Sequence, residues 1–155
     1  MVALCRLPSP SHQRLFQAGF QFEGAVNANS ERRRPCVLVV EDEVLIRAYV
    51  CQYLRDHNCR VIEASTAVEA QAIFDVGEMM IDLVCCDASL PGRFDAEDLA
   101  AWVRRKFPEV KMLVTSTAAY LSAHTARMPV GDGPVLHKPY SPDVLLANIA
   151  RLLAE

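Results

Sequence analysis

The sequence predicts an α/β fold in which a doubly wound parallel sheet carries helices on both faces. From Cys36 to the C-terminus, short apolar segments alternate with longer amphipathic segments of helical periodicity. The apolar segments are continuous and do not alternate with polar residues, which is typical of strands buried on both faces. In such sheets ligands bind beyond the carboxyl ends of the strands, so the residues that follow each strand are the candidates for function.

The composition is that of a single soluble domain. Of the 155 residues, 52 % are apolar and 23 % are charged, and the net charge of −3 gives no basic surface for general nucleic-acid binding. No apolar run approaches the ~18 residues that span a bilayer. Six cysteines show no metal-ligand spacing and lie mostly in apolar runs, which favours buried, reduced thiols. We therefore expect a cytoplasmic protein.

Residues 1–34 differ from the rest and are predicted to form a flexible N-terminal extension to one domain over residues 35–155. The extension is rich in turn-forming and polar residues and lacks sustained periodicity. Its segment "HQRLFQAGF" suggests a short helical piece. Disorder, or an over-extended gene start, explains this composition better than docking by Phe16, Phe20 and Phe22.

Five strands are predicted along the domain. In chain order they are "CVLVV" (36–40), "CRVIEA" (59–64), "IDLVCC" (81–86), "VKMLVTS" (110–116) and "VLHK" (135–138). The third strand ends at Asp87. Pro134 precedes the fifth strand, and because proline lacks a backbone donor, it favours an edge position for this strand.

The first two helices are predicted from periodicity and from a cap. The helix from about Glu43 to His57 repeats apolar residues at helical spacing, which predicts one buried stripe. The stripe comprises Ile46, Tyr49, Val50, Tyr53 and Leu54. Thr66 and Glu69 form a capping-box pattern that opens the second helix. Its predicted buried face comprises Val68, Ala72, Val76 and Met79.

Caps also mark the later helices. Asp95 is the predicted N-cap of the third helix, whose apolar face comprises Leu99, Val103 and Phe107. The segment "AYLSAHTAR" predicts a short fourth helix. Ser141 caps the last helix, and Pro142 occupies its first position, where the missing donor is tolerated.

Polar residues gather at the predicted strand ends. They are Glu41, Asp42 and Glu43 after the first strand, Asp87 after the third, Thr115 and Ser116 on the fourth, and Lys138 on the fifth. Two carboxylates about 5 Å apart repel by roughly 3 kcal/mol, so crowded acids raise a pKa or hold a cation. Oxygen ligands without His or Cys favour Mg²⁺. Glu43 is assigned instead to the first helical turn, where the dipole favours an acid.

A nucleotide site is excluded, and phosphoryl transfer is favoured. The loop after the first strand is acidic and has no glycine, unlike the phosphate-binding loops of such sheets. A metal alone leaves Asp87, Ser116 and Lys138 without a role. A carboxylate can attack phosphorus and become an aspartyl phosphate, which requires a divalent cation and a lysine near the phosphoryl oxygens. A hydroxyl can then donate a hydrogen bond to the product.

Four motifs, "VLVVEDE", "LVCCDASLPG", "MLVTS" and "LHKPY", together resemble the receiver domain of two-component response regulators from Cys36 to the C-terminus. Asp42, Asp87, Ser116 and Lys138 follow one another at spacings of 45, 29 and 22 residues. The resemblance implies a flavodoxin-like fold with five parallel strands in the order 2-1-3-4-5. It also implies a cis bond between Lys138 and Pro139, which only X–Pro bonds adopt at low cost.

The resemblance implies a role for each residue of the site. Asp87 would accept a phosphoryl group from a phosphohistidine on a sensor histidine kinase or a histidine phosphotransfer protein. Asp42, Asp87 and the backbone carbonyl of Ser89 would bind Mg²⁺ directly, and Glu41 would act through water. Lys138 would pair with the phosphate. For the switch hydroxyl, Ser116 fits the family position better than Thr115, and both are kept as candidates.

Two positions depart from the family pattern. The residue three before the lysine, often aromatic in the family, is Val135, and the Asp-Gly pair before the third helix is Asp95-Ala96. Both departures put the usual aromatic switch in question more than they affect phosphorylation.

We expect a chemotaxis-type, single-domain response regulator that is not an enzyme beyond self-catalysed phosphotransfer and dephosphorylation. It would act by protein–protein contact through the fourth helix, fifth strand and last helix, and a homodimer through that face is consistent with the resemblance. Neither nucleic acid nor a membrane is an expected partner. Two alternatives stay open. One is a degenerate receiver used as a constitutive interaction module; the other is a haloacid-dehalogenase-like phosphatase, whose nucleophile would follow the first strand, at Glu41.

Overall fold

The computed structural model describes residues 33–124 and 134–155, and its strands form one parallel sheet. The strands are β1 (Cys36–Val40), β2 (Arg60–Ala64), β3 (Leu83–Asp87), β4 (Lys111–Thr117) and β5 (Val135–Lys138). The helices are α1 (Val44–Asp56), α2 (Ala67–Val76), α3 (Ala96–Lys106), α4 (Ala118–His124) and α5 (Pro142–Ala154). The strand order β2-β1-β3-β4-β5 confirms the predicted fold, with β5 at an edge. In the described ranges no helix has the length and apolar character needed to cross a membrane.

Several predictions concern residues outside the described ranges. They cover the extension up to residue 32 with its helical piece and three phenylalanines, the end of the fourth helical segment, and the turn before residue 134. The described chain begins at Arg33, whose guanidinium pairs with Asp82 at 2.5 Å. The other Asp82 oxygen accepts a hydrogen bond from the Cys36 amide at 2.7 Å. This carboxylate therefore secures the start of β1.

Helices on both sides bury the sheet in two apolar clusters. Every residue of β1 and β3 is buried, which explains their continuous apolar sequences. One cluster joins the sheet to α2 and α3 through Phe74 and Leu99. The other joins it to α1 and α5 through Leu54 and Ile149. Each such side chain contributes about 1.5–3 kcal/mol by burial, so the carboxyl edge of the sheet is rigidly supported.

Side chains cap three helices at the predicted residues, Thr66, Asp95 and Ser141. Asp95 completes a capping box at the start of α3. The box predicted for α2 is only half formed. The Thr66 hydroxyl accepts a hydrogen bond from the Glu69 amide at 3.1 Å, but the Glu69 carboxylate accepts one from the Ser65 amide, at 2.7 Å.

The predicted stripe on α1 is wrong at Tyr49. The buried or half-buried members of the stripe are Ile46, Val50, Tyr53 and Leu54. Tyr49 is 61 % exposed, and Val44 and Leu45 near it are 64 % and 84 % exposed. The buried face predicted from periodicity was therefore too wide. In addition, apolar side chains at the start of α1 are exposed to solvent.

The predicted buried face of α2 is wrong. The predicted members Val68, Ala72, Val76 and Met79 are all exposed. The buried members are Ala67, Ala70 and Phe74. Gly77 ends the helix at a φ of 67°, so Met79 lies beyond it. The two alanines bring the helix close to the sheet, and Phe74 fills the remaining space against Trp102 and Phe107.

Candidate functional site

The register of the sheet brings the predicted strand-end residues to one edge. β1 and β3 pair up to the residues just before Glu41 and Asp87, so these two acids follow side by side. Asp87 pairs in turn with Thr115 on β4. Lys138 ends β5, beside the end of β4. Four strands thus bring their predicted site residues to the same place.

Three carboxylates form the centre of this edge. One oxygen from each of Glu41, Asp42 and Asp87 lies within 4.8 Å of the others. Glu41 and Asp87 are each only 4 % exposed, whereas Asp42 is exposed. Glu43 is also exposed and occupies the N-cap of α1. The cluster contains no His or Cys, and an oxygen-only donor set fits a hard divalent cation such as Mg²⁺.

Lys138 reaches the acids from β5. Its Nζ lies 2.9 Å from Glu41 Oε2 and 2.8 Å from Asp87 Oδ2. Burial lowers the pKa of Lys138, but its hydrogen bonds to Asp87 and Glu41 outweigh burial and raise this pKa above its ordinary value of 10.5. The lysine is therefore charged at neutral pH and balances one of the three negative charges. The Lys138–Pro139 bond is cis, as predicted.

Glu41 differs electrostatically from an exposed glutamate. Burial raises the pKa of Glu41 above its ordinary value of 4.5, and the charge of Asp87 raises it further. The hydrogen bond from Lys138 lowers it but does not cancel these effects. A cation placed beside Glu41 would lower this pKa again and stabilise the charged form of the carboxylate.

Asp87 is oriented by hydrogen bonds as well as by the lysine. The Ser89 amide donates to Oδ1 at 3.1 Å, and the Ser89 hydroxyl donates to Oδ2 at 3.0 Å. Together with Lys138, these donors fix a carboxylate that is almost inaccessible to solvent. Ser89 itself is exposed, at the start of the loop from β3 to α3.

The two candidate hydroxyls have different surroundings. Thr115 and Ser116 are 2 % and 1 % exposed. Thr115 pairs with Asp87 across the sheet, and it lines the same small cavity as Tyr140. Ser116 lies one residue farther toward the carboxyl edge, and its hydroxyl donates to the Thr117 carbonyl at 3.4 Å. The two hydroxyls thus differ in their place along β4, and that of Ser116 makes a long, local bond.

Arg47 is a site residue that sequence reasoning missed. It belongs to the first turn of α1, and its Nη1 donates to the Glu41 carbonyl at 2.5 Å and, more weakly, to the Asp42 carbonyl at 3.4 Å. Its Nε lies 3.7 Å from the Glu63 carboxylate. A cation in the first turn opposes the helix dipole at a cost of about 0.3–1 kcal/mol. That mismatch was the signal available in the sequence.

The cysteines belong to the core. Cys36, Cys51, Cys59, Cys85 and Cys86 are buried and free, as expected for reduced thiols. Burial raises the pKa of Cys85 to about 12. Its thiol, two residues before Asp87, is therefore protonated at neutral pH and unsuited to nucleophilic chemistry.

Comparison with known sequences identifies the protein family to which this chain is similar. Residues 37–150 match the model of the response regulator receiver domain. Over 122 residues the chain is 30 % identical to a probable transcriptional regulatory protein of Picosynechococcus sp. (strain ATCC 27264 / PCC 7002 / PR-6), which covers 76 % of this chain and 48 % of that protein. The chain thus spans about half the length of this curated relative.

Solved structures agree. The fold is similar to the receiver domain of NtrX from Brucella abortus, with a TM-score of 0.66 and 28 % identity over 76 % of this chain and 97 % of that one. It is also similar to a response regulator receiver domain protein from Clostridium thermocellum, with a TM-score of 0.68 and 23 % identity over 77 % and 94 % of the two chains. Since the family model extends from β1 into α5, the chain belongs to the receiver domains of two-component response regulators.

Proposed function

We propose that this chain is a phosphoacceptor of a two-component or phosphorelay system, phosphorylated on Asp87 in a Mg²⁺-dependent reaction. One observation carries the proposal. Asp87 is nearly buried, is bonded to Lys138 at 2.8 Å, and lies within 4.8 Å of two further carboxylate oxygens. It therefore lies beside both a candidate cation site and an ammonium group, the two aids that phosphoryl transfer to a carboxylate needs.

The donor set fits Mg²⁺. Asp42, Asp87 and the backbone carbonyl of Ser89 would hold the ion directly, and Glu41 would act through water. Three carboxylates and one ammonium leave two net negative charges, which a divalent cation neutralises. The bound ion would supply positive charge that offsets the repulsion between the acids and an incoming phosphoryl group.

The chain's own residues would then carry out an in-line transfer. A carboxylate oxygen of Asp87 forms a bond to the phosphorus of a phosphohistidine while the P–N bond breaks, and the imidazole keeps the electron pair of that bond. Lys138 would exchange its hydrogen bond to Asp87 Oδ2 for one to a phosphoryl oxygen. We assign the switch hydroxyl to Ser116, because it fits the family position better than Thr115 and is held by a long bond to the Thr117 carbonyl.

The phosphohistidine donor would bind over the exposed start of α1. Val44, Leu45 and Tyr49 are between 61 % and 84 % exposed and follow directly after the acid-bearing loop. Apolar side chains concentrated beside a polar site mark an interaction surface. The donor's histidine must also come within bonding distance of Asp87. The partner implied is a sensor histidine kinase or a histidine phosphotransfer protein in the cytoplasm.

Output would occur by protein–protein contact on the face formed by α4, β5 and α5, and a homodimer would use the same face. Lys138 supports this assignment, because it joins β5 directly to Asp87. Phosphorylation changes the bond between Lys138 and Asp87 and thereby changes the contacts that hold the end of β5. Val135 is half-buried and has no ring to rotate, so the aromatic switch common in the family is not part of this proposal.

The test is intact mass after incubation with acetyl phosphate, with and without Mg²⁺. Wild-type protein should gain one phosphoryl group only with Mg²⁺, and Asp87→Asn should gain none. Asp75→Asn, which changes an exposed acid on α2, serves as the matched control and should label like wild type. Absence of labelling in wild type would overturn the proposal in favour of a constitutive interaction module.

The phosphatase alternative makes a different prediction. Its nucleophile would be Glu41, the residue after β1, but that side chain is 4 % exposed and bonded to Lys138. Turnover of a phosphate monoester that persists in Asp87→Asn and disappears in Glu41→Gln would support it. Absence of turnover in wild type excludes it.

A further inference from the structure

We propose that Arg47 is a positioning residue for the metal site: it holds the loop that carries Glu41 and Asp42, and Glu63 orients Arg47 for this task. The inference rests on the proposed Mg²⁺-dependent function and extends it to two residues that lie outside the carboxylate cluster.

The hydrogen bonds of Arg47 to this loop end on its backbone. Nη1 donates to the Glu41 carbonyl at 2.5 Å and, at 3.4 Å, to the carbonyl of Asp42. On its other side, the Glu41 amide donates to the Ala64 carbonyl of β2 at 3.1 Å. Both backbone polar groups of Glu41 are therefore anchored outside the loop. This leaves its side chain directed at Asp87 and Lys138.

Glu63 holds the guanidinium from β2. One oxygen lies 3.7 Å from Arg47 Nε, and the other lies 2.7 Å from Arg55 Nη2. The Arg47 side chain is only 16 % exposed, whereas that of Arg55 is 41 % exposed. Arg47 is thus enclosed between the sheet and the loop, while Arg55 is an exposed partner of the same carboxylate. The two arginines form a matched pair for an experiment.

Charge and position predict opposite effects for Arg47. A guanidinium bonded to the acid loop repels an incoming cation, so by charge alone its removal would tighten Mg²⁺ binding. If Arg47 instead fixes the loop, its removal lets Glu41 and Asp42 leave the geometry the ion requires. Outer residues that orient metal ligands typically contribute 10–100-fold to metal affinity. The sign of the change therefore separates the two roles.

The experiment measures Mg²⁺ dissociation constants by calorimetry for wild type, Arg47→Met, Arg47→Lys and Arg55→Met. Arg47→Met keeps the apolar stem and should weaken binding about tenfold or more. Arg47→Lys retains one donor nitrogen but loses the guanidinium, and it should bind Mg²⁺ more weakly than wild type and more tightly than Arg47→Met. Arg55→Met removes the same charge from the same partner without touching the loop and should bind like wild type. In the metal-free state, amide exchange at Glu41 and Asp42 should accelerate in Arg47→Met alone.

Unchanged or tighter binding by Arg47→Met would overturn the inference and leave the proposed function intact. An equal loss in Arg55→Met would also overturn it, because the loss would then follow from disturbing Glu63 and not from the bonds of Arg47 to the loop. Urea unfolding of each variant without Mg²⁺ identifies any that fails to fold, in which case Arg47→Lys decides. Absence of Mg²⁺ binding by folded wild type would overturn the proposed function together with this inference.

Discussion

Replacement of Asp42 by asparagine should make the metal-free protein more stable and remove most of its stabilisation by Mg²⁺. Asp42 is the exposed member of the acid cluster, and its closest carboxylate oxygen lies within 4.8 Å of those of Glu41 and Asp87. Lys138 is bonded to the other two acids, so Asp42→Asn removes repulsion without breaking either ion pair. Asp42→Asn should therefore be more stable than wild type without Mg²⁺ and less stable than wild type with it.

The distances within the acid cluster set limits on the repulsion energy that Asp42→Asn removes. Two charges 4.8 Å apart repel by about 3.5 kcal/mol at an effective dielectric of about 20 and by about 0.9 kcal/mol at about 80. Because Asp42 is exposed and screened, the value lies near the lower bound, and we expect a gain of about 1 kcal/mol in the free energy of unfolding. For a domain of this size that gain raises Tm by about 2–4 °C. Mg²⁺ at 100 times its dissociation constant should stabilise wild type by about 2.7 kcal/mol.

The assay is urea unfolding followed by the fluorescence of Trp102, the single tryptophan, which packs against Phe74 and Phe107. Curves are recorded for wild type, Asp42→Asn and Glu109→Gln, with and without Mg²⁺. Glu109 is exposed and precedes β4, at the opposite edge of the sheet, so its replacement controls for loss of one negative charge. If Asp42→Asn is no more stable than Glu109→Gln without metal, the acids do not strain the fold, and the reasoning is refuted. Full Mg²⁺ stabilisation of Asp42→Asn would refute it equally.

Three further predictions test other parts of the structure. Because the pKa of Glu41 is raised, the Mg²⁺ affinity of wild type should begin to decline above pH 4.5 as the pH is lowered. Calorimetry of Glu41→Gln should show no decline from this cause. By the same linkage, metal-free stability falls as pH rises through the raised pKa, because folding favours protonated Glu41. Leu45→Glu should slow transfer from a histidine phosphotransfer protein at least tenfold while acetyl phosphate labelling is kept, and Val76→Glu, at an exposed site on α2, should alter neither. Phe74→Ala should cost about 3–5 kcal/mol in urea unfolding, whereas the exposed Val68→Ala should cost under about 0.5 kcal/mol; equal losses would restore the face first predicted for α2.

The site could be predicted further than the packing because it depends on topology. In a parallel sheet every strand ends at the same edge, so an acid after β1 and another after β3 must approach each other. Recognising strands from continuous apolar runs was enough to place Glu41, Asp87 and Lys138 together. Their closeness then follows from the register, which places Val40 beside Cys86 and Asp87 beside Thr115.

Helix faces were harder to predict because they depend on volume and on neighbours. Val68 and Val76 have the periodicity of a buried face, yet the sheet accepts Ala67 and Ala70, whose small side chains permit close approach. The prediction followed the spacing of the larger Val68, Val76 and Met79, and Ala72, the one alanine on that face, is exposed as well. Tyr49 shows the same error on α1, where an exposed ring follows the helical spacing of the core.

Arg47 escaped prediction for a different reason. Its hydrogen-bond partners are backbone carbonyls, which carry no residue identity, and Glu63 is 16 residues away, on β2. Only its position was informative, since a cation in the first helical turn requires compensation. A charge that is unfavourable to the helix dipole thus indicates that a residue makes a compensating contact elsewhere.

The charges of the site connect the proposed metal binding and phosphorylation to the edge strand β5. Lys138 neutralises one of three carboxylates and bridges Glu41 to Asp87, which leaves an excess of two negative charges at a nearly buried edge. In the proposed reaction a divalent cation would remove that excess, and an acyl phosphate on Asp87 would restore part of it, because a phosphoryl group carries about two charges where the carboxylate carried one. The new charge would draw Lys138 and the Ser116 hydroxyl toward the phosphoryl oxygens. Since Lys138 ends the edge strand β5, a change in one ion pair is coupled directly to a strand at the proposed output surface.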